Sequence, residues 1–485
     1  MSDLGVLVYP LCTAALAVVV LLLDVLRAPS AAGSATHGRR LGWFVAAALA
    51  GLFAATFFYA PSGVAAHGVY EAGAWSLALQ RLFFAAGALG ALGALDDVAD
   101  RTPHRAGEYW MLFVSSLTGM VLLPGARDLV LLVVAFELMG VPLYVMAAFA
   151  KTDAAAGEPR GQASEAGLKF YLVGATSTAI TLFGLALLTG MAGTTRLDAL
   201  AAAPMTPLSA AGMLMVLGGM GYKLGVAPFH MWVPDTYQGA ATPFVAFLSV
   251  APKAAGVAAL TQLFLFGLGP ARAQWSGPLA MLALLSMVVG NVLALPQTDL
   301  RRLLGYSGIA QMGYLLVGLG TGEAFGAGTV LFFLTAYVFT NLGAFLVLHV
   351  AAKAGGGHGF DALAGLSKRS PALAGALLAF LLSLAGIPFA VGFWAKLYVF
   401  LAAWRAGNVA LVAAGITVAV LGLFYYLRML HAAYMVDGDL PRPKPGLAAG
   451  LAIAVCVVAV LGLGIWPEPL TASALRAAGS LLAQR

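Results

Sequence analysis

Four ionisable side chains stand deep inside apolar stretches of this sequence. Glu137 lies in LLVVAFELMGVPLYVMAAF, Lys223 in GGMGYKLGVAPFHMW, Lys253 in FLSVAPKAAGVAAL and Lys396 in GIPFAVGFWAKLYVFLAAW. Glu137 is about nine residues into its stretch, roughly 14 Å along a helix. A charge at the centre of a bilayer costs at least ~2.5–3.5 kcal/mol, so such residues are usually functional or paired. Carboxylates and amines bind and release protons, and proton transfer is therefore the chemistry that these positions indicate.

Three further residues are candidates for the same chemistry. Lys169, in EAGLKFYLVG, is only a few residues inside its apolar stretch, so it either extends to the membrane interface or joins the buried group. His230 and His349 could relay protons, although a single membrane histidine is more often a hydrogen-bonded packing residue. A static Glu–Lys pair is the corresponding structural alternative for Glu137. The predicted proton pathway comprises Glu137, Lys223, Lys253, Lys396, Lys169 and His230.

The composition requires a membrane setting for these residues. Apolar residues make up 61% of the 485 residues, charged residues only 9%, and the mean hydropathy is +0.93. A soluble domain carries about 25% charged residues. Cys12 and Cys456 have neither a disulfide pattern nor metal-ligand spacing. The formal charge of +6 is scattered through connecting loops, which argues against a nucleic-acid surface.

Apolar stretches of about 20 residues recur along the whole chain, each long enough to cross a membrane. They predict an all-α integral membrane protein with about fourteen transmembrane helices. The predicted spans are 4–26, 41–60, 76–95, 109–125, 128–150, 165–191, 209–232, 242–268, 277–296, 300–319, 326–352, 371–404, 408–435 and 446–465.

Loop charges predict the orientation of these spans, because Lys and Arg concentrate in cytoplasmic loops. One set of alternate loops holds fifteen basic residues and the other set, with the C-terminal tail, holds six. The richer set is Arg27, Arg39, Arg40, Arg101, Arg105, Lys151, Arg160, Arg301, Arg302, Lys353, Lys368, Arg369, Arg428, Arg442 and Lys444. The poorer set is Arg127, Arg196, Arg272, Arg405, Arg476 and Arg485. Both termini are therefore expected on the periplasmic side of a bacterial inner membrane.

Helix breakers lie beside two of the buried lysines. Lys223 precedes Gly225 and Pro228, whereas Pro388 precedes Lys396. Proline removes a backbone donor and clashes with the preceding turn. Irregular backbone at membrane depth is tolerated only where protein or a water-filled cavity covers it. We expect a broken helix at each position.

The two broken spans occupy the same place in two groups of five helices, which predicts two inverted five-helix repeats. The first repeat is expected at 109–268 and the second at 277–435. Residues 1–108 then form three N-terminal helices, and 446–485 form the last transmembrane helix and a tail. One lysine precedes its proline and the other follows it, so the two halves match imperfectly.

Five long stretches resemble the antiporter-like family shared by respiratory complex I and multi-subunit sodium/proton antiporters. They are FELMGVPLYVM, SEAGLKFYLVGATSTAITLFG, GYKLGVAPFHMWVPDTYQGAATPFVAFLSVAPKAAG, NVLALPQTDLRRLLGYSGIAQMGYLL and GIPFAVGFWAKLYVF. Together they cover roughly residues 128–405. Within the family the chain is most similar to the subunit N branch of bacterial NADH–quinone oxidoreductase. One departure is GIPF, where a double proline is common in the family.

The resemblance implies roles for four residues. Glu137 would be the acidic partner of Lys223 in a first half-channel, Lys253 the central connecting lysine, and Lys396 the group facing a second half-channel. A lysine at 396 separates the chain from the middle sister subunit, which has a glutamate there. The distal sister carries a long amphipathic extension after the last span, which is not expected here.

Elementary electrostatics supports such a mechanism. An ammonium in an apolar interior loses stabilisation of its charge, and a carboxylate at ion-pair distance restores it. Alternation between paired and unpaired states can therefore load and eject a proton.

The resemblance implies a proton-translocating, non-redox subunit that partners sister membrane subunits in the bilayer. NADH, FMN, iron–sulfur clusters and quinone would be bound by other subunits, with no cofactor in this chain. A cation/proton antiporter subunit, a proton-pumping hydrogenase subunit and a structural scaffold are the alternatives.

Overall fold

The computed structural model describes residues 3–26, 34–150 and 161–483 and is mostly helical. A short antiparallel hairpin pairs β1 (Gly63–Ala65) with β2 (Tyr70–Ala72). The helices are α1 (Asp3–Val6), α2 (Val8–Val25), α3 (Ser34–Phe58), α4 (Ala74–Arg101), α5 (Ala106–Leu122), α6 (Leu129–Ala147), α7 (Gln162–Ala192), α8 (Leu197–Ala202), α9 (Pro207–Leu224), α10 (Trp232–Gly239), α11 (Thr242–Leu248), α12 (Ala251–Leu260), α13 (Arg272–Ala294), α14 (Leu300–Leu319), α15 (Ala324–Lys353), α16 (Leu366–Arg369), α17 (Pro371–Ala385), α18 (Val391–Arg405), α19 (Val409–Tyr434), α20 (Leu447–Ile465) and α21 (Glu468–Ala483).

Eleven helical segments in the described part of the chain are long and apolar enough to cross a membrane, which confirms the predicted helical membrane fold. The three predicted spans that do not qualify coincide with α9, α14 and the α17–α18 pair. The last two helices have 15 residues each. A helix of that length covers about 22 Å, less than the hydrocarbon core. The count of fourteen spans therefore stays a prediction.

Both expected interruptions are present and end their helices in the same way. Gly225 ends α9 and Gly386 ends α17, each with a left-handed φ, +68° and +83°. At each end the glycine N–H and the next N–H, from Val226 or Ile387, donate back to carbonyls of the last turn. This arrangement satisfies carbonyls that the helix leaves open, and it favours glycine because a Cβ is strained at positive φ.

The centre of the molecule is formed by the helical segment 242–267, which is wholly buried, and by α15, which is mostly buried. By contrast, α7, α13 and α19 expose large apolar side chains such as Phe183, Met281 and Phe424. Apolar side chains on the outer surface are expected where lipid covers them. The segment 261–267 at the end of the central helix is π-helical, a form frequent at functional sites.

Three features differ from the sequence prediction. The predicted span 76–95 extends to Arg101 as α4, so Asp97 lies within a helix instead of a loop. The hairpin of β1 and β2 departs from a purely helical fold. The tail after the last span forms α21, whose buried face packs Leu475 against Gly328 of α15. The sequence analysis did not predict this helix, because a segment of 16 residues rich in small side chains does not resemble a membrane span.

Candidate functional site

Glu137 and Lys223 are brought together, as the sequence predicted. Glu137 lies in the middle of α6, and Lys223 lies in the last turn of α9, just before the interruption. Lys223 Nζ is 3.6 Å from Glu137 Oε1, with 11% of the lysine side chain and 33% of the glutamate side chain exposed. The pair is therefore partly buried.

Two hydroxyls complete the surroundings of this pair. Lys223 Nζ donates to Tyr144 Oη at 2.9 Å, and Thr178 Oγ1 donates to Glu137 Oε1 at 2.9 Å. A Cβ at Gly140 would lie 2.9 Å from Lys223 Nζ, so a glycine there leaves room for the ammonium. Each charged group thus has a second partner besides the other, which allows the ion pair to lengthen without leaving either group unpaired.

A small pocket opens beside the Glu137–Lys223 pair. It lies between α6, α7 and α9, and its wall includes Glu137, Thr178, Thr181 and Lys223 among apolar side chains. Space with convergent polar groups can hold water, whose share of liquid volume is about 30 Å³. The cavity provides a place where a proton can reach or leave the pair.

Lys253 lies in the first turn of α12 and is completely buried. Its Nζ has no hydrogen-bond partner among the described residues. The nearest aromatic rings are those of Tyr237 and Tyr337, with centroids 5.7 Å and 5.9 Å from Nζ. Gly308 of α14 faces the lysine, and a Cβ there would lie 2.8 Å from Nζ. Such a position disfavours a permanent charge and suits a transient proton carrier.

Lys396 is held by backbone atoms of the second interruption. It extends from α18 to the end of α17, where Nζ donates to Leu384 O at 2.8 Å and Ala385 O at 3.1 Å. The carbonyl end of a helix carries partial negative charge, which favours a cation. The Tyr314 ring lies 4.8 Å from Nζ. Among the described residues no carboxylate lies within 4 Å of this lysine, so its environment differs from that of Lys223.

Lys169 and His230 lie outside the buried group. Lys169 Nζ contacts Glu165 at 2.8 Å and Asp235 at 3.0 Å, and 46% of its side chain is exposed. This placement supports an interfacial position, beside a polar cavity of about 430 Å³. His230 is half-buried in the interruption after α9, with its ring 6.4 Å from that of Tyr306. The described contacts join neither residue to Lys223 or Lys253.

A buried carboxylate that the sequence analysis did not single out lies near one end of α4. Asp97 Oδ1 is 3.0 Å from Arg101 Nε, 3.5 Å from Lys353 Nζ and 3.7 Å from His349 Nε2. The helix extends six residues past its predicted end, so a position expected in a loop is buried. His349, a candidate relay from sequence, thus belongs to a cluster of ion pairs that joins α4 to α15.

Metal chemistry has no candidate centre in the described ranges 3–26, 34–150 and 161–483. No group of three or more His, Cys, Asp or Glu side chains there could hold a metal ion. Cys12 is exposed and Cys456 is buried, and both are free.

The chain is similar to proteins of known family. Residues 126–422 match the family described as NADH:quinone oxidoreductase/Mrp antiporter, TM. The chain is 39% identical over 439 residues to NADH-quinone oxidoreductase subunit N of Heliobacterium modesticaldum, covering 89% of this chain and 91% of that protein.

Solved structures share the fold. A chain of respiratory complex I from Thermus thermophilus with bound aureothin has a TM-score of 0.79 and 31% identity, covering 96% of this chain and 98% of that chain. A chain of the Mrp complex from Dietzia sp. DQ12-45-1b also has a TM-score of 0.79, with 21% identity and coverage of 99% and 97%. The second likeness is one of fold alone.

Proposed function

The chain belongs to the NADH:quinone oxidoreductase/Mrp antiporter family, and we propose that it is a proton-translocating membrane subunit of an NADH–quinone oxidoreductase. In this role it carries no redox centre. NADH oxidation and quinone reduction take place in other subunits, and their free energy drives proton movement through this one. Its partners are other membrane subunits of the complex, sister antiporter-like chains among them.

One observation carries the proposed mechanism: the Glu137–Lys223 pair lies beside a cavity within a membrane-spanning bundle. An ammonium with a carboxylate at 3.6 Å is stabilised in its charged form. When the carboxylate moves away from Lys223 while it keeps the hydrogen bond from Thr178, that stabilisation weakens and the lysine releases its proton. The hydroxyls of Thr178 and Tyr144 then give each charged group a partner in the separated arrangement.

The proposed route continues from this pair to the completely buried Lys253 and then to Lys396 in the second half. Lys253 has no fixed counter-charge, and Lys396 is held by carbonyls of α17. Lys169 and His230 take the entrance side, because Lys169 lies in an exposed ion-pair cluster. Proton passage requires no cofactor in this chain.

The proposed architecture has fourteen membrane spans. They are the eleven segments that are long and apolar enough, together with α9, α14 and the broken α17–α18 pair. Residues 109–268 and 277–435 form the two inverted repeats, flanked by 1–108 and 446–485. Both termini face the periplasm of a bacterial inner membrane, because the opposite set of loops carries the excess of basic residues that marks the cytoplasmic side. Arg27, Lys151, Arg160 and Arg485 of that charge count lie outside the described residues.

Cysteine labelling tests this orientation. In a variant lacking Cys12 and Cys456, Val64→Cys and Lys368→Cys place single thiols at exposed positions of opposite predicted faces. An impermeant reagent on intact cells labels the first and not the second if the termini are periplasmic. Labelling of the second position alone reverses the proposed topology.

Two other transport functions are the alternatives: a cation/proton antiporter subunit and a subunit of a proton-pumping hydrogenase. The relative of 39% identity is named as an NADH-quinone oxidoreductase subunit, whereas the Mrp chain is 21% identical. A structural scaffold, in which the buried charges only fix helix packing, predicts normal proton translocation when Lys223 is neutralised.

Purification of the tagged chain separates these functions. We expect flavin and iron–sulfur subunits to accompany it, and NADH oxidation with quinone to acidify or alkalinise the interior of reconstituted vesicles according to orientation. An antiporter subunit instead exchanges sodium ions for protons without NADH. Sodium-driven exchange in a preparation free of flavin overturns the proposed function.

A further inference from the structure

Two tyrosines flank Lys253 in nearly equivalent positions. The ring centroids of Tyr237 and Tyr337 lie 5.7 Å and 5.9 Å from Lys253 Nζ. Both tyrosines and the lysine are buried, and neither phenol oxygen has a hydrogen-bond partner among the described residues. Tyr337 Oη and Lys253 Nζ lie 2.9 Å and 2.8 Å from one point, the site that a Cβ at Gly308 would take. Three buried polar atoms without protein partners indicate that water supplies their hydrogen bonds.

The two tyrosines differ in what lies beyond them. Tyr337 lines a small cavity whose other polar residues are Gln311, Thr340 and Ser383. Tyr237 instead packs against Trp232 and Phe345, with ring centroids 6.3 Å and 5.8 Å away. A water needs two to four polar partners, which the cavity beside Tyr337 provides.

The far side of that cavity reaches the partners of Lys396. Its wall includes Leu384, whose carbonyl accepts hydrogen bonds from Lys396 Nζ at 2.8 Å and from Gln311 Nε2 at 2.9 Å. Gln311 Nε2 also lies 3.3 Å from Tyr426 Oη, and Ser307 Oγ is 2.5 Å from the same oxygen. The polar side chains that line this cavity or contact Gln311, between Lys253 and Lys396, are therefore all uncharged, and none of them is a carboxylate.

We propose that Tyr337 is the hydroxyl that transfers the proton between Lys253 and Lys396, together with water in the adjoining cavity. This inference rests on the proposed function and adds a carrier between its two lysines. Gln311 is a positioning residue, because it fixes the Leu384 carbonyl and one wall of the cavity.

The transfer conserves atoms and charge. The Lys253 ammonium gives a proton, through water, to the Tyr337 oxygen, while the original phenol proton leaves to water in the cavity. That water passes a proton to the neutral Lys396 amine. Lys253 becomes a neutral amine, Lys396 becomes an ammonium, and Tyr337 ends as a neutral phenol whose O–H has turned.

The geometry at Lys396 suits a proton acceptor. A neutral amine has two N–H groups and one lone pair, and the two carbonyls of Leu384 and Ala385 take both N–H groups. The lone pair is then available for an incoming proton.

Tyr337→Phe and Tyr237→Phe form a matched pair of variants that test this proposal. Each removes one unpartnered phenol oxygen near Lys253 and keeps the ring. We expect Tyr337→Phe to lower the protons translocated per NADH as far as Lys253→Met does, and Tyr237→Phe to leave the ratio unchanged. Native gels report assembly, and NADH oxidation in uncoupled vesicles reports the redox reaction.

A third variant separates proton transfer from packing. Tyr337→His restores a group that exchanges protons near its ordinary pKa of about 6.5, so pumping should recover partly and become pH-dependent in that range. A purely structural hydroxyl predicts no such recovery. Normal pumping by Tyr337→Phe, while Lys253→Met loses it, overturns the relay and leaves the proposed function intact. Normal pumping by both Tyr337→Phe and Lys253→Met contradicts the lysine pathway itself. Equal losses in Tyr337→Phe and Tyr237→Phe overturn the relay, because it requires the two tyrosines to differ.

Discussion

At the first interrupted helix, Lys223 Nζ lies 3.6 Å from a side-chain carboxylate, whereas at the second, Lys396 Nζ donates to two backbone carbonyls. A carboxylate on a rotatable side chain can leave its partner. Carbonyls in the last turn of a helix cannot leave without unwinding it. The two halves therefore have the same broken helix but different counter-charges.

We propose that the two sites have different tasks. The Glu137–Lys223 pair, which borders a pocket, would be the place where an outside change alters the proton affinity of a lysine. The second site presents a fixed environment that accepts and holds a proton. In this proposal the redox reaction of the other subunits acts on the Glu137–Lys223 pair. The proton that the pair releases passes through Lys253 to Lys396.

The largest effect is expected from Lys396. Lys396→Ala should assemble but lose most proton translocation, because it removes the acceptor of the second half. Lys396→Arg should be impaired as well, since guanidinium does not release its proton in proteins. Lys368→Ala is the control, a basic residue with an exposed side chain. We would measure protons per NADH in vesicles, and full pumping by Lys396→Arg would show that only fixed charge is needed there.

A second comparison uses the glycines that face the lysines. Gly308→Ala places a Cβ 2.8 Å from Lys253 Nζ, and Gly140→Ala places one 2.9 Å from Lys223 Nζ. Lys253 is completely buried, whereas Lys223 borders a cavity into which it can shift. Pumping should therefore fall more in Gly308→Ala. Proton flux and thermal stability of the complex are the measurements, and the reverse order would contradict the difference in freedom between the two lysines.

The smallest effect is expected from the partners of the movable pair. Tyr144→Phe removes one hydrogen bond to a charged group, a contribution of ~1.5–3 kcal/mol, but leaves Glu137 as a partner of Lys223. Pumping should be reduced and not abolished. Tyr171→Phe is the control, because its half-exposed ring lies 5.9 Å from that of Tyr144. Loss as severe as that of Lys223→Ala would make the tyrosine, and not the carboxylate, the main partner.

The charged residues of the first half were predictable from sequence, because a carboxylate or an ammonium in a long apolar stretch is costly wherever it falls. The helix breaks were predictable for a similar reason, since Pro228 cannot continue a regular helix and Gly225 readily adopts the left-handed conformation that ends one. The partners Tyr144 and Thr178 were not, because aromatic and hydroxyl residues are frequent in membrane helices and carry no comparable signal.

Three further features could not be predicted from sequence, each for a physical reason. Asp97 was counted as a loop residue, because hydropathy falls near helix ends whether or not the helix continues. Lys169 had two open interpretations, and only the positions of Glu165 and Asp235, one of them distant in sequence, favour the interfacial one. Similarly, no local pattern shows that Lys396 reaches back eleven residues to the Ala385 carbonyl.

The central claim is that Glu137 and Lys223 act as one movable unit, and a double-mutant cycle tests it most directly. Proton translocation would be measured for Glu137→Gln, Lys223→Ala and the double variant, with assembly checked on native gels. Contacting residues are non-additive, so the double variant should be scarcely worse than Lys223→Ala alone. The exposed Asp437–Lys368 pair, at 2.5 Å, is the control, with small effects expected because exposed pairs contribute little. Strictly additive losses at Glu137 and Lys223, or normal pumping by Lys223→Ala, would contradict the account.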